Sequence, residues 1–189
     1  MMHTHSMGAP MQPAKISVRD LTKMAICVAF CCVTAYISFP LPFTPGMVTA
    51  LTIALGVAAF VLTPVQTFFV IFVYILLGAI GLPVFATAGG LSRLLGPVGG
   101  FYFAWLLAFP LLSFFKGKEI SFRRYAVMNI LIAVPITYLG GLISMMLLME
   151  VTFWQAAGMA VLPFVPGDIL KAIAAAFLGG KLNRMLENR

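Results

Sequence analysis

The chain has 189 residues, of which 62% are hydrophobic and only 9% charged, with a mean hydropathy of +1.07. Soluble domains carry about 25% charged residues, so this composition excludes a water-soluble globular body and points to a single integral membrane domain. The net charge of +7 does not amount to a nucleic-acid footprint. Such a footprint needs basic residues clustered on a solvated face, and here they sit between apolar runs, as in the cytoplasmic flanks of membrane helices.

Residues 1–19 read as a polar N-terminal tail, "MMHTHSMGAPMQPAK" and its continuation. It is too long and polar to begin a conventional signal peptide, and His3 and His5 within it read as part of a disordered tail. Residues 20–189 read as one transmembrane substrate-binding domain. A spanning helix needs about 20 apolar residues, and six segments qualify: 21–39, 47–62, 65–80, 99–115, 126–149 and 167–186. The first contains Cys27, Cys31 and Cys32, which read as small packing residues because no His or second Cys pair completes a metal set. It ends at "SFPLPFTPG", where three prolines forbid continuation. The second and third are joined by almost nothing, so a tight antiparallel hairpin is expected. The fifth contains Pro135 and Gly140–Gly141, which predict a kink or a close helix approach.

Lys and Arg set the orientation. Lys15, Arg19 and Lys23 precede the first segment; Lys116, Lys118, Arg123 and Arg124 separate the fourth and fifth; Lys181, Arg184 and Arg189 close the chain. Six crossings put all three groups on one side, and the positive-inside rule makes it the cytoplasm. The expected fold is thus an all-α membrane protein of six transmembrane helices. Both termini are cytoplasmic, a structured Gly-rich outer loop joins helices three and four, and the whole spans the cell (plasma) membrane.

Most charges are then explained as flanks, with Glu150 as a hydrated helix end. Three are not: Arg93, Asp168 and Lys171, all on the outer half. Ionisable groups at membrane depth face a cavity or each other. Arg93 lies in "GLPVFATAGGLSRLLGPVGG" (81–100), too broken by glycine and proline for a spanning helix and too apolar for a solvated loop. Non-helical backbone at this depth must be buried in protein or line a cavity, so this segment reads as folded over a pocket; a snorkelling arginine on an ordinary connection is the alternative. Asp168 and Lys171, at i and i+3, share a helix face. An N-cap role for Asp168 and a mutual salt bridge are both open. Phe43, Phe85, Phe101, Tyr102, Trp105, Tyr138, Trp154 and Phe164 gather at the outer helix ends, either as a pocket wall or as an interfacial belt. No G-x-x-x-x-G-K-[ST] and no H-E-x-x-H is present, so neither ATP hydrolysis nor enzymatic chemistry is expected of this chain, and no cofactor or metal.

The runs "YILLGAIGLPVFATAGGLSRLLGPVGGF" (74–101) and "PFVPGDILKA" (163–172) resemble the BioY family, the biotin-binding S components of energy-coupling factor (ECF) transporters. Val98 stands where that family usually has Thr, and Phe101 where it often has Tyr. The resemblance covers about 20–186 and implies high-affinity capture of biotin from outside. It carries over Arg93, Asp168 and Lys171 as binding positions, with Phe85, Thr87, Gly89, Gly90, Tyr102 and Phe164 in the candidate substrate-binding set. Asp168 is expected to accept from the ureido N–H groups and a basic residue to meet the carboxylate; Arg93 and Lys171 both qualify. The resemblance also implies a transmembrane T component and two ATPase subunits as partners, docking on small residues of the first helix, where Ala25 and Ala29 form an A-x-x-x-A pair. Packing within the chain is the other use of that pair. The rival reading is a proton-coupled secondary transporter of another small carboxylate-bearing solute, with Asp168 or Glu150 as proton carrier. Lys171 one turn away makes Asp168 a poor one.

Overall fold

The protein is described here from a computed structural model, over residues 17–86 and 88–188; residues 1–16 of the proposed tail, Lys15 among them, with Thr87 and Arg189, fall outside the described residues, while the last three residues assigned to the tail, 17–19, already cap and open the first helix. The first helix, α1 (Val18–Ala35), starts at a capping box in which Ser17 Oγ accepts from the Asp20 N–H and the Asp20 carboxylate accepts from Ser17. It ends at Ala35, short of the expected residue 39. A residue before proline is pushed to extended backbone, and Ser38–Pro40 instead forms strand β1. Its antiparallel partner is β2 (Met47–Thr49), with Phe39 opposite Val48. This hairpin also takes the first residues assigned by sequence to the second helix, so α2 runs only from Leu51 to Val61.

Pro64 opens α3 (Pro64–Ala79) behind a Thr63/Gln66 capping box. Leu62 and Thr63 alone join α2 to α3, but neither helix is the other's main neighbour: α2 packs on α9 (Val165–Glu187) and α3 on α5 (Gly99–Phe115). The one-turn helix α4 (Leu91–Leu94) lies within the glycine-rich segment.

Next comes a continuous rod of 28 residues, Phe122–Met149, long and apolar enough to cross a membrane. It consists of α6 (Phe122–Met128), a π turn (Asn129–Ala133) and α7 (Val134–Met149). Pro135 has no N–H for the helix ladder, and the wider π turn just ahead of it accommodates the break. The irregularity expected near Pro135 therefore lies on its N-terminal side. Unforeseen from the sequence, α8 (Phe153–Ala160) starts at a Thr152/Gln155 capping box. Together α8 and α9 also have the length and hydropathy of a span, but they are bent by 48° to each other; α2, α3 and α5 are shorter apolar helices.

Small residues set the helix spacing. A Cβ on Gly100 of α5 would come within 2.0 Å of the Gly140 carbonyl oxygen of α7, and one on Gly56 of α2 within 2.8 Å of Ala175 Cβ of α9. The far end of α2 is stapled by its neighbours. Lys116 Nζ donates to the carbonyls of Ala59, Phe60 and Leu62, Ser113 Oγ also donates to Leu62, and Asn183 Nδ2 donates to Phe60. These are the carbonyls a helix C-terminus leaves unpaired, and a cation there suits the helix dipole. Burial pushes the Lys116 pKa down to about 8, which still leaves the ammonium dominant at pH 7.

Candidate binding site

At the opposite end of α2 the chain stops being helical, and there the candidate residues meet. The β1–β2 hairpin, the 80–98 segment and the α8–α9 junction surround a cavity of about 80 Å³, floored by α2, α5, α7 and α9. Its lining includes Arg93, Tyr102, Phe164, Asp168 and Lys171, five of the nine residues singled out by sequence.

The 80–98 segment is folded rather than loose. Tyr74 Oη donates to the Val84 carbonyl (2.6 Å), the Gly90 N–H to the Gly78 carbonyl (2.7 Å) and Ser144 Oγ to the Pro97 carbonyl (2.7 Å). Gly90 has φ +95°, a backbone that favours glycine, and a Cβ on Gly89 would fall 2.3 Å from the Leu82 carbonyl oxygen. Gly89 and Gly90 thus shape the segment instead of lining the cavity. Phe85 is also set back, wedged against Gly78 and packed behind Tyr102 with the rings tilted by 38° and their centroids 4.4 Å apart.

Asp168 is not an N-cap. The cap position of α9 is Phe164, and the Asp168 N–H already donates to the Phe164 carbonyl at 2.8 Å. Its carboxylate works sideways: Oδ1 accepts from Lys171 Nζ at 2.7 Å and Oδ2 from Tyr138 Oη at 2.8 Å. Both charged side chains of the pair are only 14% exposed, and theirs is the only ion pair among the described residues. Arg93 therefore has no acidic partner there, and its Nε is buried without a hydrogen bond. Thr52 Oγ1 and Trp105 Nε1 are in the same condition, and both residues line the same cavity. Buried polar atoms in native proteins are almost always paired. Three orphans around one cavity, beside a charge pair, describe a receptor for a polar ligand.

A model of the BioY family matches residues 7–188. The chain belongs to the BioY family. It is 34% identical to the probable biotin transporter BioY of Pyrococcus horikoshii, over 88% of this chain and 98% of that protein. It is also 34% identical to the biotin transporter BioY2 of Lactococcus lactis subsp. cremoris, over 89% of this chain and 92% of the relative. The fold superposes on the crystal structure of the S-component for biotin from an ECF-type ABC transporter, with a TM-score of 0.81 and 25% identity over 92% of this chain and 95% of that one.

In this BioY chain the sequence passed over Thr52 and the hairpin residues Met47 and Thr49 as site residues, and counted Trp105 and Tyr138 only among the aromatics. Thr52 gave no signal, being one hydroxyl in an apolar helix. A tyrosine inside a spanning segment, as Tyr138 is, could have been flagged as a partner for a buried carboxylate. Ala25 and Ala29 lie on an exposed face of α1 with Leu21, Ile26, Phe30 and Val33, so the pair does not serve packing within the chain.

Proposed function

We propose that the chain captures biotin in this cavity, as the substrate-binding component of an ATP-driven importer. The relatives are described as biotin transporters and the superposed structure as an S-component for biotin. The observation that carries the reading to particular residues is the convergence of unpaired Arg93 Nε, Trp105 Nε1 and Thr52 Oγ1 with the Asp168–Lys171 pair. Biotin carries a ureido ring with two N–H donors and a carbonyl at one end and a carboxylate at the other. Asp168, an acceptor, takes ureido N–H groups. Lys171 is already engaged by Asp168 whereas Arg93 is free of acidic partners among the described residues, so Arg93 is the residue that meets the carboxylate, as a charge-assisted pair. Pockets for drug-sized ligands usually hold about 300 Å³ or more, so the non-helical walls shift outward to admit biotin. The test is binding of labelled biotin to the purified protein, competed with dethiobiotin and lipoate. Saturable binding displaced by dethiobiotin and not by lipoate is expected; no binding would end the assignment.

We read six spans in α1, α2, α3, α5, the 122–149 rod and α9, in one domain over 20–189, with both termini cytoplasmic and the pocket facing outward across the plasma membrane. Support comes from the basic residues near the ends opposite the pocket: Arg19 and Lys23 at the start of α1, Lys116, Lys118, Arg123 and Arg124 between α5 and the rod, and Lys181 and Arg184 late in α9. The eleven residues of α2 rise only about 17 Å against an apolar bilayer core of about 30 Å. The pocket occupies the depth that α2 leaves.

The T component and two ATPase subunits dock, on this reading, against the exposed Ala25–Ala29 face of α1, where small residues allow close helix approach. Ala29→Leu is expected to reduce ATP-driven biotin uptake several-fold and leave biotin affinity of the isolated chain unchanged. Equal loss of both would remove α1 as the docking face. Uptake that collapses with an uncoupler yet ignores ATP depletion would favour a proton-coupled carrier instead.

A further inference from the structure

Beneath the Asp168–Lys171 pair lies a second, smaller cavity of about 20 Å³, walled by Thr52, Asn129, Thr137, Tyr138, Asp168 and Lys171 among others. Six of its ten lining residues carry polar side chains, set among Phe109, Ala133, Val134 and Ala172. Asn129 and Thr137 are only 3% and 8% exposed. The side-chain hydrogen bonds of this layer are Lys171 to Asp168 and Tyr138 to Asp168, and neither Asn129 nor Thr137 takes part in them. Thr52 Oγ1 is buried without a partner. An ammonium has three protons to donate, and Lys171 spends one on Asp168.

Asn129 is placed here by backbone and by its neighbour. It is the first residue of the π turn, a local widening of the helix that redirects side chains. Opposite it stands Gly56, where an added Cβ would come within 3.1 Å of Asn129 Nδ2. Gly56 thus serves both the close approach of α2 to Ala175 of α9 and the space for the Asn129 amide beside it.

We propose that this inner cavity is a water site, and that Asn129 acts through the water as a positioning residue for the Lys171–Asp168 pair. A cavity needs about 10–15 Å³ to hold one water, which in turn needs two to four polar partners. Both conditions are met here, by the volume and by Thr52, Asn129, Thr137 and the spare protons of Lys171. The water accepts from Lys171 and bonds to the amide and hydroxyls, so the ammonium is held from below while Asp168 holds it from the side. The pair is then fixed before the ligand arrives, and less freedom is lost on binding.

This inference rests on biotin being the ligand, and the experiment separates the two. In the full chain, Asn129→Leu is expected to weaken biotin binding about tenfold, the worth of one hydrogen bond at a charged group, while the ligand-free protein melts close to the wild-type temperature, because the amide and the water it holds are replaced together by an apolar side chain and Lys171 keeps its bond to Asp168. Asn129→Ser, which keeps a hydrogen-bonding group and leaves space for the water, is expected to recover most of the affinity. If wild type binds biotin and Asn129→Leu binds it equally well, the coupling is refuted. If melting temperature and affinity fall together in both variants, Asn129 is merely structural, and the inference is also refuted. Failure of wild type to bind biotin would count against the ligand assignment instead.

Discussion

Asp168→Asn is expected to lower biotin affinity by about 10- to 100-fold, the range for losing a hydrogen bond to a charged group and part of an ion pair. The carboxylate serves three partners on this reading: Lys171 at 2.7 Å, Tyr138 at 2.8 Å, and the ureido N–H groups of the ligand. An asparagine supplies one carbonyl oxygen where the carboxylate has two, and turns an N–H toward a neighbour that is itself a donor. It also leaves the Lys171 ammonium largely buried without its counter-charge, a state that costs about 3–5 kcal/mol in protein interiors. Part of that cost falls on the free protein, so its thermal midpoint should drop as well. The measurement is a titration with labelled biotin beside a melting curve. Unchanged affinity would remove Asp168 from the site.

The second large effect is expected at the α5–α7 crossing. Gly100→Ala places a Cβ 2.0 Å from the Gly140 carbonyl oxygen and 2.6 Å from Ser144 Oγ, the hydroxyl that ties the 80–98 segment to α7 through Pro97. Backbone cannot yield as a flexible side chain can, so the helices must separate. Overpacking of this kind costs about 1–3 kcal/mol, or roughly 2–12 °C in melting temperature for a chain of this size. Biotin affinity should fall with it, because α5 carries Tyr102 and Trp105 while α7 carries Tyr138. Gly158→Ala in α8 is the control: nothing lies within 4 Å of the added Cβ, so a helical alanine there is neutral or mildly stabilising. Equal melting temperatures for the two variants would show that the crossing is not held by close backbone approach.

Much of this architecture is legible in the sequence because a membrane chain has few charges to misplace. Asking which ionisable residues lack a solvent role isolated Arg93, Asp168 and Lys171, and the three line one cavity. The fourth segment, 99–115, matches α5 residue for residue. Errors gathered where local chemistry overrules hydropathy. The break at the prolines was legible, but its two apolar ends, 38–39 and 47–49, were counted into the flanking helices, and they pair instead as a hairpin. Helix α8 stayed hidden because hydropathy sees a short linker where a Thr152/Gln155 capping box starts a helix. The cavity-lining hydroxyl of Thr52 could not be read at all: whether a lone threonine faces lipid, a backbone carbonyl or a cavity depends on how α2 is rotated against its neighbours, and that is a property of packing.

The staple around Lys116 bears on what the molecule can do alone. Ser113 of α5, Lys116 just past its end and Asn183 of α9 hold the last turn of α2, and the same three helices carry Trp105, Lys171 and Thr52 at the other end. A guest that enters the pocket meets a floor whose parting would strip hydrogen bonds from several carbonyls at once. On the proposed reading, the chain left to itself is expected to behave as a vessel and not a conduit: a single-turnover measurement should find one captured molecule per protein, and repeated turnover should appear only when work is done on the vessel from outside.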